Sequence, residues 1–210
     1  LLFIKGDQVV LRRSEHEVRI PRERVISIAE GRERESDYWS GMASIGINSR
    51  GGNTETVDAT YQANLKRQTA RNRFNADYLA NYSSTNSVKT TNNQRLSGYH
   101  DWFLTGQFYW RTLSAEYYRD PFSNIGNQTS VGTGIGYDII HIPRTKWTIN
   151  SGVGFQEMRF DSVQPGEAKT SSSPFLTAGS QLDYKLTGNI DILYEYSMRW
   201  LNKDNGQYTH

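Results

Sequence analysis

The stretch Val57-Asp58-Ala59-Thr60-Tyr61-Gln62-Ala63-Asn64-Leu65 sets apolar residues at its odd positions and polar ones at its even positions. A repeat of two is the period of an extended strand, whose side chains point alternately to opposite faces. The segment therefore predicts a strand with one apolar and one polar face. The same alternation recurs outward from it. Trp39, Ala43, Ile45 and Ile47 alternate with Ser40, Ser44, Gly46 and Asn48, and Phe74, Ala76, Tyr78, Ala80 and Tyr82 with Arg73, Asn75, Asp77 and Asn81. A weaker stretch carries Leu96, Gly98, His100 and Trp102 on one face, and Leu113, Ala115 and Tyr117 alternate with Ser114, Glu116 and Tyr118. Val131, Ile135, Tyr137 and Ile139 face away from Gly132, Gly134, Gly136 and Asp138; Trp147, Ile149, Val153 and Phe155 face away from Asn150, Gly152, Gly154 and Gln156. Leu176, Ala178, Leu182 and Tyr184 oppose Thr177, Gly179, Gln181 and Asp183, and Ile190 to Trp200 repeats the pattern with Asp191, Glu195 and Arg199 on its polar side.

This reading gives about nine strands of roughly ten residues or more from residue 38 onward. Strands in soluble proteins average about five or six residues, whereas a strand tilted about 45° across a bilayer needs roughly nine to eleven. The lengths predict an all-β chain, an antiparallel transmembrane β-barrel occupying residues 38–210. Bacterial barrels have even strand numbers, so a complete one is expected to have about 10 to 12 strands. Gly206 to His210 reads as loop, and the barrel is expected to be incomplete at the C-terminus.

Residues 1–37 differ. Val9-Val10-Leu11, Val18, Ile20, Val25, Ile26 and Ile28 suggest three or four short strands. Glu30 to Asp37 is a charged run that reads as a solvated linker. This N-terminal β region is expected in the periplasm.

Composition narrows the function. The 210 residues include no cysteine, which excludes a disulfide scaffold, a thiolate metal site and a cysteine nucleophile. No run of 18 apolar residues exists, which excludes a transmembrane helix. With 24 basic against 22 acidic residues there is no field to attract nucleic acid.

The expected connections alternate between tight turns (Ala70-Arg71-Asn72, Thr105-Gly106, Ile142-Pro143-Arg144, Thr187-Gly188-Asn189) and longer polar loops at Ser83–Asn93, Asp120–Thr129 and Asp161–Pro174. Short periplasmic turns and longer outer loops are the pattern of outer-membrane barrels, although the short turn Arg50-Gly51-Gly52-Asn53 breaks it. With the first strand running outward, Trp39, Trp102, Trp110 and Trp147 fall at periplasmic ends and Trp200 at the outer end. These are the candidate membrane-interface aromatics.

The polar face is mostly Gly, Ser, Thr, Asn, Gln and Asp, which suits a narrow lumen better than a solvated surface rich in Lys and Glu. Its isolated charges are the candidate lumen-lining residues: Asp58, Arg73, Asp77, Arg95, Asp101, Glu116, Asp138, Asp183, Asp191, Glu195 and Arg199. In a narrow lumen they would pair across strands; in a wider one they would line a water path. Acids outnumber bases among them, so any conductance is expected to prefer cations weakly.

The order of motifs carries a resemblance. Trp39, Gly41, Gly46 and Gly52-Asn53-Thr54, then Lys66-Arg67, Arg71-Asn72-Arg73, Tyr117-Tyr118-Arg119-Asp120-Pro121-Phe122 and Gly132-x-Gly134-x-Gly136-Tyr137, resemble the domain-of-unknown-function family 481 over roughly residues 38–200. The resemblance implies an outer-membrane β-barrel of Gram-negative bacteria, described as salt-induced. It implies no activity, catalytic residue or cofactor.

No residue set demands an enzyme. His16, His100, His141 and His210 lie on unrelated segments without metal-ligand spacing, His141 in an expected turn. His100, near Trp102 on the apolar face, would need an adjacent Ser and an orienting Asn or Asp to act as a hydrolase. The alternating glycines 132, 134 and 136 lack the spacing and the following helix of a phosphate loop, and read instead as room for a neighbouring side chain. The expected function is a passive narrow channel for small solutes or ions, with no catalytic group, metal or cofactor. Its expected partner is the lipid bilayer of the outer membrane. The alternative is a closed barrel docking a periplasmic partner through residues 1–37.

Overall fold

The computed structural model describes residues 2–5, 8–13, 16–21, 34–142, 144–187, 190–201 and 208–209. The N-terminal part forms a three-stranded antiparallel sheet of β1 (Leu2–Lys5), β2 (Gln8–Arg13) and β3 (His16–Pro21), with Val9 and Val10 buried. The fourth short strand expected around Val25, Ile26 and Ile28 lies outside the described residues. Part of the charged run, Glu35–Tyr38, winds into one turn of 3-10 helix.

From Trp39 onward the chain is an up-and-down antiparallel sheet. Its long strands are β4 (Trp39–Arg50), β5 (Thr56–Gln68), β6 (Asn72–Thr85), β7 (Val88–Phe103), β8 (Phe108–Asp120), β9 (Ile125–Ile142), β10 (Thr145–Phe160), β11 (Thr170–Lys185) and β12 (Asp191–Leu201). Each pairs with its sequence neighbours, and the two-residue β13 (Tyr208–Thr209) adds to β12 at Met198 and Arg199. The nine long strands hold 11 to 18 residues each, so the expectation of strands of about ten or more is met.

The sheet is strongly curled toward its polar side. Arg199 on β12 reaches Glu116 on β8 at 3.6 Å and donates to Gln156 on β10 at 3.3 Å. Neighbouring strands lie about 4.8 Å apart, so β8 and β12 would sit about 19 Å apart on a flat sheet. Side chains can meet across three intervening strands only if the surface between them is concave. Among the described residues no ladder joins β4 to β12 or β13, and all twelve residues of β4 are exposed.

The convex face is apolar and open: Ile45, Ile47, Leu96, Leu113, Ile135, Val153, Phe155 and Leu176 are all exposed. The residues buried in this sheet lie mainly on the other side and are largely polar, among them Asp101, Ser130, Asp138, Thr148, Gln156 and Ser173. This inverts the apolar-in, polar-out order of a water-soluble antiparallel sheet.

The expectation of long loops is corrected at two of three places. β6 and β7 run into one another through Asn86-Ser87 alone, at φ of 49° and 65°, the left-handed pair of a tight hairpin. β8 passes to β9 through residues 121–124, where the Asp120 carboxylate accepts from the Ser123 amide and hydroxyl. Only the β10–β11 connection, residues 161–169, is long. Apart from Val88, Ser83 to Asn93 is polar on both faces, which erases the period of two; backbone pairing extends the strand regardless.

Candidate functional site on the concave face

Cross-strand register places all eleven candidate lumen residues on the concave face. Asp58 stands opposite Ser83, Arg73 opposite Asp101, Asp77 opposite Ser97, and Glu116 opposite both Ser97 and Ser130. Asp138 stands opposite Thr148, Asp183 opposite Lys146, Arg199 opposite Thr177, Glu195 opposite Gln181, and Asp191 opposite Lys185. Arg95 shares the face through its pairing with Leu79 and Tyr118.

Three groups emerge. The most buried centres on Asp101, whose side chain is completely covered. Arg73 donates to its Oδ2 from Nε at 3.1 Å and also from Nη2; Arg111 donates to Oδ1 from Nε at 2.7 Å and to Oδ2 from Nη2 at 3.2 Å. A buried carboxylate without such partners would cost several kcal/mol, on the order of 3–5 when one partner is removed. The Arg111 guanidinium lies 4.2 Å from the centre of the Tyr99 ring, and Arg73 lies 5.3 Å from that of Tyr109. Such contacts suit guanidinium, which is weakly hydrated and stacks on aromatic faces.

The second group spans the interior: Arg95 pairs with Glu116, Glu116 meets Arg199, and Arg199 lies 4.7 Å over the Phe175 ring. The third is an amide ladder. Asn64 donates to Asp77 at 2.6 Å, Asn75 donates to the other oxygen of Asp77, and a separate chain of hydrogen bonds runs from Thr60 through Asn81 to Asn93. Asp58 accepts from Ser83 at 2.7 Å, and buried Asp138 accepts from Thr148 at 2.7 Å.

Glycines on this face make room for two rings. A Cβ at Gly136 would overlap the Tyr109 ring, and one at Gly154 would overlap that of Phe175. Tyr109 is buried by this seating, as is Phe175. The alternating glycines thus admit neighbouring side chains and close approach of the next backbone, as at Gly134 against Ser151.

Arg111, Lys66, Lys146 and Lys185 share the concave face and are missing from the sequence-derived set. Arg111 is hidden by a bulge. Asp101 pairs with Arg111 while His100 pairs with Leu113, leaving Thr112 as the extra residue, so the even-odd frame read from Ser114 to Tyr118 is wrong for Arg111. Lys66 and Lys146 were open to a frame count, since each is one residue from an outward aromatic or arginine at its strand's end.

His100 faces outward and its Nδ1 lies 2.8 Å from Thr112 Oγ1, which also donates to the His100 carbonyl at 3.2 Å. Among the described residues no Ser hydroxyl or carboxylate bonds to it, and this pair fastens the bulge. His141 belongs to β9, not to a turn, and His16 to β3; His210 lies outside the described residues. No group of three or more His, Cys, Asp or Glu suited to a metal occurs among the described residues.

All five tryptophans lie on the convex face and are exposed. Trp39, Trp102, Trp110 and Trp147 sit at the end holding the β5–β6, β7–β8 and β9–β10 turns, and Trp200 at the opposite end. Two of them use their indole N–H across strands, Trp110 to Thr133 and Trp147 to Ser180, each at 3.0 Å.

These features define a class: an all-β protein whose long antiparallel strands carry an exposed apolar convex face and a hydrogen-bonded, charged concave one. Residues 43–210 match the family described as "Protein of unknown function, DUF481", and the chain belongs to that family. No curated protein and no solved structure matches it.

Proposed function

We propose that this chain forms the wall of a β-barrel in the bacterial outer membrane and passes small solutes or ions through a narrow polar lumen. The observation that carries the reading is the pairing of an unpartnered apolar convex face with a polar concave one on strands of 11 to 18 residues. Such strands exceed the roughly nine to eleven residues that a tilted crossing needs. Tryptophans near both ends fit two interfacial girdles. In a bilayer the free backbone edge of β4 must be paired, because hydrocarbon offers its amides no partner. No catalytic step belongs to this reading.

A closed barrel is the second reading, favoured by the complete burial of Asp101 and by the rings of Tyr109 and Phe175 standing in the interior. Its contact with a periplasmic partner would run through residues 1–37. Planar-bilayer conductance of the full-length protein separates the two. Reproducible unitary steps support the channel; silence from protein shown to be inserted supports the closed barrel. Failure to insert at all sinks both.

A further inference from the structure

We infer that the tryptophan-rich end of the concave face is an anion-accepting constriction, so that the conduit favours small inorganic anions such as chloride. The inference rests on the channel reading and deepens it. At this end the concave face gathers Lys66 of β5, Arg73 of β6, Arg111 of β8 and Lys146 of β10, against Asp101 of β7, Asp138 of β9 and Asp183 of β11. With Lys185 of β11 and Asp191 of β12, which stand opposite one another, that is five cationic groups against four carboxylates. The charges meet across the curl: Lys146 lies within electrostatic range of Arg73, four strands away, and of Lys66, five strands away, as well as of Asp138 and Asp183 on the neighbouring strands.

Two of these carboxylates already have partners. Asp101 takes both arginines, and Asp138 accepts from Thr148. Two guanidiniums share one carboxylate, which leaves a positive charge in excess beside the buried Asp101 and Tyr109. Tyr109 and Phe103, ring centres 6.1 Å apart, stand beside them. The narrowest and least hydrated stretch of a pore sets its preference, because field lines are least screened there. Rings of Arg and Lys select anions. The acidic groups that suggest cation preference, Asp77, Glu116 and Glu195, lie farther along the strands. There Glu116 is met by Arg95 and Arg199, and Asp77 by amide donors. Adding Lys66, Arg111, Lys146 and Lys185 to the three arginines set against eight carboxylates cuts the acidic excess on which the weak cation preference rests from five to one.

The test is the zero-current potential of full-length protein in a planar bilayer under a KCl gradient, for the native chain, Lys146→Glu and Lys66→Gln. Heat-modifiable gel migration shows that each is folded. The expected result is chloride preference in the native protein and a severalfold fall of the chloride-to-potassium permeability ratio in Lys146→Glu, with a smaller fall in Lys66→Gln. Potassium preference in the native channel overturns the inference and leaves the channel standing. So does chloride preference that neither substitution moves. Silence from inserted protein overturns both together.

Discussion

Glu116 and Arg199 meet at 3.6 Å although β8 and β12, which carry them, are separated by three strands. The contact is a chord across the concave face, so it reports curvature directly. The chain has no cysteine. A Glu116→Cys, Arg199→Cys double variant is therefore expected to be joined in high yield by a short bifunctional thiol reagent. The product should be intramolecular and should appear as a shift in gel migration. A double variant that couples only between molecules would mean that the sheet is flat in solution.

Asp101 holds a different kind of contact, wholly covered and shared by two arginines. Asp101→Asn keeps the volume but removes the charge, leaving Arg73 and Arg111 facing each other. The expected loss is about 3–5 kcal/mol in denaturant unfolding from detergent micelles. Glu116→Gln, whose partners are more exposed, should cost on the order of 1 kcal/mol or less. Equal losses at the two positions would contradict the burial difference on which this contrast depends.

The seating of Tyr109 over Gly136 predicts an asymmetry between single and double variants. Gly136→Val drives Cβ into the ring and is expected to cost about 1–3 kcal/mol by overpacking. Tyr109→Ala removes the obstruction, so the pair should be less destabilised than the sum of the singles. A double-mutant cycle that closes additively, within about 0.3–0.5 kcal/mol, would separate the two residues.

Much of this was legible in the alternation of residues, because a period of two records the pleat directly. The polar set from Asp58 to Arg199 follows from counting, and the register keeps every member on one face. What the alternation could not record is a change of frame. The bulge at Thr112 reverses the parity within β8, and so hides Arg111, the second partner of Asp101. Strand ends rich in Ser, Thr and Asn also fall silent, since a period needs two unlike faces; β6 and β7 therefore run farther than their pattern. Contacts such as Glu116 with Arg199 depend on curvature, which arises from the whole sheet and has no local signature. The same limit applies to the tryptophans: their face is countable, but their neighbours Thr133 and Ser180 lie on other strands.

If the convex face meets lipid, the five exposed tryptophans should report it. In vesicles containing lipids brominated along the acyl chain, emission is expected to be quenched. Quenching should be strongest for bromines near the headgroup, because indole favours the interface. Acrylamide in the aqueous phase should quench less than it does in the urea-unfolded protein. Strong acrylamide quenching with no effect of brominated lipid would place the apolar face against something other than a bilayer.

Glu35 supplies a pH dependence outside the strands' span. Its carboxylate accepts from Arg67 Nε at 2.7 Å, and that hydrogen bond holds its pKa below the ordinary carboxylate value. A carboxyl whose folded pKa lies below its unfolded one stabilises the fold above the unfolded value, and loses that contribution as pH falls through the folded one. The 3-10 turn Glu35–Tyr38 should thus release from β5 on acidification through and below about pH 4. Trp39 follows that turn directly and its indole also meets Glu35. The difference in emission between the native chain and Trp39→Phe should therefore titrate in this range, and less steeply at high salt, since an exposed ion pair is screened. Glu35→Gln should abolish the titration. If the difference signal is flat between about pH 5 and pH 3, or persists in Glu35→Gln, the contact does not fasten the turn.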